Sequence, residues 1–172
     1  MDDGRKYAVP FVATIIERTH NGVRQVLIGV RNHTHTESIY NGTLEFVAGT
    51  LDSLYENVYD TLSREVFEET GLQISKIIND SQKVPISPHK IDKVFGFRPF
   101  CCTQQLKDGR PWVGFIFRCE VKPGKLISQD GENQDLRWMD IKEFKNIYTT
   151  IPEKIFSLEY PAWQYYFDEI TV

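Results

Sequence analysis

The stretch that decides the fold is Arg64-Glu65-Val66-Phe67-Glu68-Glu69-Thr70-Gly71-Leu72, which places three carboxylates within five consecutive positions. An α-helix turns about 100° per residue, so Glu68 and Glu69 share a face with Glu65. Neighbouring carboxylates repel one another. They are tolerated when the face is fully solvated, or when it holds a hard divalent cation through oxygen ligands. The second alternative predicts an enzyme that acts on phosphates.

Signals on both sides bound this helix. Asn57 followed by Asp60 predicts an N-cap with an acidic residue in the first turn. Gly71 suits the position just after the C-terminus, so a helix is predicted over about Val58–Thr70. Its carboxylates lie in the last turns, where the helix dipole disfavours negative charge by some tenths of a kcal/mol each. A purely structural helix more often carries Lys or Arg there, so this placement indicates function.

Length and composition favour one globular domain over residues 1–172. Hydrophobic residues make up 41% of the chain and aromatic residues 13%, which is enough for a packed core. The net charge of −4 argues against a stable nucleic-acid partner, which usually meets a basic surface. The chain has no apolar run long enough to span a membrane, and its N-terminus lacks the apolar region of a signal peptide. We therefore expect no membrane association and a cytoplasmic location.

The three cysteines, Cys101, Cys102 and Cys119, predict reduced thiols in the core. Their number is odd, adjacent cysteines rarely pair, and the Cys-x-x-Cys spacing of zinc sites is missing. His33 and His35 lie in a polar stretch that predicts a loop, and we interpret both as solvated.

The rest of the chain predicts strands mixed with helices, and hence the α/β class. Asn21-Gly22 is a strong hairpin signal. Strands are predicted over 7–18, 23–30, 43–47, 72–78, 93–103, 112–121 and 135–139. Further helices are predicted over 141–147 and 152–170, the second with Pro161 as a potential interruption.

The helical pattern continues upstream. It reads Gly-Thr at 49–50, five residues, Glu56, seven residues, and then the run that begins at Arg64. This resembles the Nudix box, the signature of the Nudix (MutT-type) pyrophosphohydrolases, at eight of its nine specified positions. The departure is Thr50, which stands where the box opens with glycine and takes a positive φ only at a cost. The resemblance implies the Nudix fold, a mixed β-sheet sandwiched between α-helices.

By the same resemblance, Glu65, Glu68 and Glu69 would ligate Mg²⁺ or Mn²⁺ together with the backbone carbonyl of Gly49. Mg²⁺ prefers oxygen ligands and bridges protein carboxylates to substrate phosphates. In the family, a metal-bound water attacks a phosphorus of a nucleoside diphosphate that is linked to a further group. The metal activates that water and offsets the charge that builds on the phosphate oxygens.

Other residues would support this cluster. Glu56 and Arg64 would orient it, and a bidentate pair between them would set the loop against the helix. The general base is either a box glutamate or a glutamate from a later loop, for which Glu132 is the candidate. Glu132 is equally suited to be a fourth metal ligand or a solvated loop acid. Glu45 and Glu120 are weaker candidates, because strand alternation can place them on either face.

The resemblance leaves three functions open. The first is hydrolysis of a pyrophosphate bond in a nucleoside triphosphate, nucleotide sugar, ADP-ribose or dinucleoside polyphosphate. The second is a regulatory module that binds a nucleotide without hydrolysing it; such modules usually lose box carboxylates, whereas Glu56 and the three helix glutamates remain here. The third is isomerisation of a prenyl diphosphate. That reaction needs a Cys and a Glu in the pocket, and the cysteines of this chain do not obviously supply such a pair.

Substrate choice depends on residues outside the box. Pro88 lies sixteen residues beyond Leu72, close to where ADP-ribose-cleaving members of the family often have a proline, and this resemblance slightly favours ADP-ribose. Arg31 and Arg98 are either phosphate contacts or solvated surface residues. Aromatic residues near the C-terminus either complete the core or form the contact of a homodimer.

Overall fold

A computed structural model describes residues 7–32, 39–80, 93–107, 111–127 and 133–170 of the chain. No helix in these ranges is long and apolar enough to cross a membrane. The elements in chain order are β1 (Val9–His20), β2 (Val23–Arg31), β3 (Leu44–Glu45), β4 (Val47–Thr50), α1 (Val58–Thr70), β5 (Ile74–Ile77), β6 (Cys101–Gln104), β7 (Trp112–Val121), β8 (Asn133–Asp140), α2 (Ile141–Thr150), a 3-10 helix (Pro152–Lys154) and α3 (Tyr160–Glu169).

One mixed sheet forms the centre of the molecule. Its main path has the order β3-β2-β1-β7-β5, while β4, β6 and β8 pair with β1, β7 and β2. β1 and β7 run parallel, and the other pairs are antiparallel. The predicted fold class, a mixed sheet sandwiched between helices, is confirmed.

The two faces of the sheet carry separate cores because successive side chains of a strand point to opposite faces. On β1, Ala13 and Ile15 belong to the cluster that contains Trp163 of α3. Val12 and Ile16 belong to clusters that contain buried residues of α1. Helix α1 therefore covers one face, and α2 and α3 cover the other.

Predictions that rest on backbone geometry are confirmed. Asn57 caps α1, with its side chain accepting the N–H of Tyr59. Gly71 ends the helix in the left-handed region with φ of 71°, and its N–H donates to the carbonyl of Phe67. In the hairpin turn between β1 and β2, Asn21 and Gly22 also have positive φ, as the favoured two-residue turn requires.

The strand predicted over 93–103 is wrong in its first part, since β6 begins only at Cys101. Cys101 pairs with Ile116 of β7, so an earlier start would need partners beyond Ile116 on the same edge. That edge is occupied from the other side: the N–H of Ile78 donates to the carbonyl of Arg118 at 2.8 Å, and β5 pairs beyond it. Competition for one strand edge therefore ends β6.

The terminal helix predicted over 152–170 is interrupted before Pro161 and not at it, because the segment forms a short 3-10 helix and then α3. Between them, Ile155 forms a parallel bridge with Leu44 of β3, which needs an extended chain. Pro161 lies in the first turn of α3 and helps to begin this helix, since its missing N–H has no partner to lose there.

The cysteines carry free thiols at three levels of burial. Cys119 is fully buried and Cys101 half-buried, and burial raises the pKa of each thiol to about 12. Cys102 is exposed, so the prediction of a core position was wrong for this residue. Cys101 and Cys102 are adjacent on β6, where alternation turns them to opposite faces.

Candidate active site

The predicted site lies where β4 passes α1, and its closest contact is between Gly49 and Glu65. A Cβ at position 49 would lie 2.0 Å from Cδ of Glu65, so any side chain there would displace the carboxylate. Gly49 is itself held in the sheet by pairing with Val12 of β1. Glycine at position 49 therefore leaves the Glu65 side chain in its present position, because any larger residue would make the outer atoms of Glu65 move.

The strain expected at Thr50 does not arise. Thr50 is an ordinary strand residue of β4, and it has no positive φ. Its hydroxyl donates to the carboxylate of Asp52. The left-handed residue of this loop is Tyr55, with φ of 63°, directly before Glu56. The departure from the box thus leaves the strand beside α1 undistorted.

Glu56 binds the backbone of its own loop. Its Oε2 accepts the N–H of Asp52 at 2.8 Å and the N–H of Ser53 at 3.1 Å. The pKa of Glu56 is lowered, chiefly by the Ser53 N–H, with further hydrogen bonds from Thr61, Asp52 and Arg64. The ionised carboxylate therefore fixes the turn that leads into α1.

Arg64 is the centre on which three carboxylates meet. Its Nη1 lies 2.7 Å from Oε1 of Glu65 and 3.0 Å from Oε2 of Glu68, whereas Nη2 lies 3.5 Å from Oε1 of Glu56. The predicted bidentate pair with Glu56 is therefore wrong, since the Glu56 contact is single and long. Burial alone would lower the pKa of Arg64, but the charges of Glu65 and Glu68 outweigh it and raise this pKa.

Glu69 faces the strand. It is 3% exposed, and its Oε1 accepts the N–H of Ala48 at 3.1 Å. Among the residues that the structure describes, no three His, Cys, Asp or Glu side chains converge closely enough to hold a metal ion. The structure thus gathers Glu65 and Glu68 around Arg64, whereas Glu69 contacts the backbone of β4. In chemical type, these carboxylates and the nearby strand carbonyls still suit a hard cation.

The other predicted residues have varied positions. Glu45 is buried and forms an ion pair with Arg31, whose Nη1 lies 2.6 Å from Glu45 Oε2, so Arg31 is not a solvated surface residue. Glu120 and Arg98 are exposed. The remaining predicted residues lie outside the described ranges: Glu132, His33, His35 and Pro88.

Glu159 is a residue that sequence reasoning missed. It is 1% exposed, and both of its carboxyl oxygens accept the N–H of Phe46, at 3.0 and 3.2 Å. Burial, reinforced by the charge of Glu45, raises the pKa of Glu159 well above its usual range. The sequence offers only a faint signal for this role, an acid among the aromatic residues of the terminal segment.

Comparisons with known proteins agree with the observed fold. The family model described as the NUDIX domain matches residues 9–158. One similar solved structure is the NUDIX domain of Shewanella oneidensis NrtR complexed with ADP ribose, with 15% identity and a TM-score of 0.68, covering 99% of this chain and 94% of that chain. Another is the MutT protein from Methanosarcina mazei Go1, with 16% identity and a TM-score of 0.63, covering 95% and 96%.

A third similar structure is a binary complex of the C. elegans Ap4A hydrolase, with 14% identity and a TM-score of 0.60, covering 95% of this chain and 100% of that chain. At these identities the likeness concerns the fold. No curated protein matches the chain.

Proposed function

Because the chain belongs to the Nudix hydrolase family, we propose that it is a divalent-metal-dependent pyrophosphohydrolase that cleaves a nucleoside diphosphate derivative by attack of water on phosphorus. The observation that carries this proposal is the contact of Glu65 and Glu68 with one nitrogen of Arg64, at 2.7 and 3.0 Å. Two carboxylates that already share one positive centre supply the oxygen donors that a hard cation needs.

In this proposal Glu65, Glu68 and Glu69, with the carbonyl of Gly49, hold Mg²⁺ or Mn²⁺. The bound metal would supply an activated water and offset charge on the phosphate oxygens. Arg64 orients the carboxylates of Glu65 and Glu68, with which it is in contact.

In this proposal Glu56 and Gly49 have structural roles. Glu56 fixes the loop that enters α1 through two backbone N–H groups. Gly49 leaves room for the Glu65 carboxylate.

Glu65, Glu68 and Glu132 are the candidates for the general base. Of the two box residues, Glu68 has the more accessible side chain, 47% exposed against 14% for Glu65, which favours Glu68 for contact with water.

A second candidate function is nucleotide binding without hydrolysis. The observation that favours it is the hydrogen bond between Glu69 and the N–H of Ala48, together with the finding that no three acidic side chains among the described residues converge as a metal site. A module that only binds the substrate does not need all three helix carboxylates on one metal.

One experiment separates the two functions. The protein is incubated with ADP-ribose, diadenosine tetraphosphate, nucleoside triphosphates and nucleotide sugars, with Mg²⁺, Mn²⁺ or EDTA, and the products are detected through added phosphatase. Cleavage of one class that EDTA abolishes is the expected result. Tight binding of a nucleotide without cleavage in either metal would replace hydrolysis with the binding function.

A further inference from the structure

A buried carboxyl from the C-terminal part of the chain holds the strand that carries Gly49, and we infer that Glu159 is a positioning residue for the candidate active site. This role rests on the proposed function, since Gly49 and Glu65 matter to catalysis only if the site is catalytic. Its physical basis is independent of any substrate.

The first step is the contact of residues 155–159 with β3 and the residue that follows it. The N–H of Phe156 donates to the carbonyl of Leu44 at 2.9 Å, in register with the parallel bridge between Ile155 and Leu44. Glu159 then accepts the N–H of Phe46 with both carboxyl oxygens. The segment before α3 therefore lies along the chain that enters β4.

The second step concerns the edge of this chain that faces away from β1. Phe46 and Ala48 are two positions apart, so their N–H groups leave the extended chain on the same side. Glu159 accepts the first and Glu69 of α1 accepts the second. The opposite edge pairs with β1, where Gly49 opposes Val12. Two carboxyls thus secure the outer edge directly before Gly49.

The third step is the charge around Glu159. Arg31 lies 2.6 Å from Glu45 and forms an ion pair with that acid. Burial, together with the charges of Glu45 and Glu69, raises the pKa of Glu159 well above its usual range, against the opposing effects of the Phe46 N–H and Arg31. A neutral carboxyl accepts and donates like the amide of glutamine. Glutamine is therefore expected to preserve the contact that alanine removes.

The test compares Glu159→Ala, Glu159→Gln and the matched control Tyr166→Phe. The hydroxyl of Tyr166, also on the α3 side of the sheet, donates a buried hydrogen bond to Glu17 at 2.7 Å, so its loss weakens the same region without touching Phe46. Amide hydrogen exchange of Phe46, Ala48 and Gly49 is measured by NMR, and Mn²⁺ affinity by electron paramagnetic resonance.

For Glu159→Ala we expect exchange at these amides to rise about tenfold or more, and Mn²⁺ affinity to fall about tenfold. Glu159→Gln should stay within about twofold of the wild type on both readouts, and Tyr166→Phe should leave both unchanged relative to global stability. Glu159→Ala with wild-type exchange at Phe46 and Gly49 would overturn the inference, as would Glu159→Gln behaving like alanine.

Two other outcomes of the experiment can also be interpreted. If Glu159→Ala does not fold, Glu159→Asp replaces it, because its carboxyl is one methylene too short to reach Phe46; wild-type exchange in that variant overturns the inference. If the wild-type protein binds no Mn²⁺, the proposed metal dependence fails, and the exchange rates alone decide whether Glu159 holds the strand.

Discussion

The acidic side chains on the two faces of the sheet are held in opposite ways. On the α1 face, Glu65 and Glu68 share the guanidinium of Arg64, and the Arg64 and Glu68 side chains are 41% and 47% exposed. On the α3 face, Glu17 accepts from Arg118 at 2.8 Å and from the hydroxyl of Tyr166, among buried side chains.

The difference lies in how easily each partner can be exchanged. A solvent-exposed ion pair contributes about 0–1 kcal/mol, so a divalent cation can take the place of Arg64 at little cost. Breaking a buried pair costs about 3–5 kcal/mol, because one charge is left without a partner. The carboxylates around Arg64 can therefore change partner at little cost, whereas Glu17 is fixed by its buried pair with Arg118.

The largest expected effect is the loss of stability when Arg118, the buried partner of Glu17, is removed. Arg118→Met removes the charged partner of Glu17 and keeps the Tyr166 hydroxyl, so the free energy of unfolding should fall by about 3–5 kcal/mol. Urea denaturation measures this loss. The control is Arg137→Met at an exposed arginine, which should change stability by less than about 0.5 kcal/mol. Equal losses in the two variants would show that burial does not separate the two faces.

The exposed cluster should behave in the opposite manner. Glu68→Gln is expected to lower kcat by about 100-fold, because it removes charge from the metal-binding face, and to leave the thermal midpoint unchanged. The control is Glu143→Gln, an exposed glutamate in the first turn of α2. Steady-state kinetics measure kcat, and thermal denaturation measures the midpoint. Full activity in Glu68→Gln would exclude this residue from the site.

A smaller effect is expected from crowding the same cluster. Gly49→Ala places a Cβ 2.0 Å from Cδ of Glu65 and must move that carboxylate. Metal affinity should fall about tenfold, the lower end of what disturbed ligand positions cost. Gly96→Ala is the control, since a Cβ there meets no atom within 4 Å. Calorimetric titration measures the Mn²⁺ affinity of both variants. Equal affinities would contradict the expectation.

The last prediction concerns how stability depends on pH. Burial raises the pKa of Glu159 above its unfolded value of about 4.3, so the native state keeps a proton that the unfolded chain releases. Stability from this group is present below about pH 4.3 and is lost as pH rises, by at most about 1.4 kcal/mol per unit. Glu159→Gln has no such slope. Its stability relative to wild type should therefore grow as the pH rises above about 4.3, and urea denaturation at a series of pH values measures this change.

Much of the fold could be predicted from local signals. The cap at Asn57 and the glycine at 71 bound α1 because they act within one turn of the helix. The Asn21-Gly22 turn likewise depends only on its own backbone. Helical spacing predicted the shared face of the three glutamates, whereas the parts given to Gly49 and Arg64 came from the resemblance to the Nudix box.

The parts that failed depend on distant partners. Residues 93–99 have the composition of a strand, but β5 occupies the edge of β7 that they would need. Glu159 has no distinguishing neighbours in the sequence, and its role depends on reaching Phe46 from across the molecule. Spacing also could not show that Glu69 turns to Ala48 while Glu65 and Glu68 turn to Arg64.

The contact between Phe46 and Glu159 joins residues 113 positions apart, which separates them in time as well as in sequence. At a synthesis rate of about 5–20 residues per second, Phe46 is made about 6–23 s before its carboxyl partner. Helix α1 is built from neighbouring residues and can form in microseconds. A nascent chain can therefore form α1 well before the strand beside it is secured, because the contact with Phe46 has to wait until Glu159 has been made.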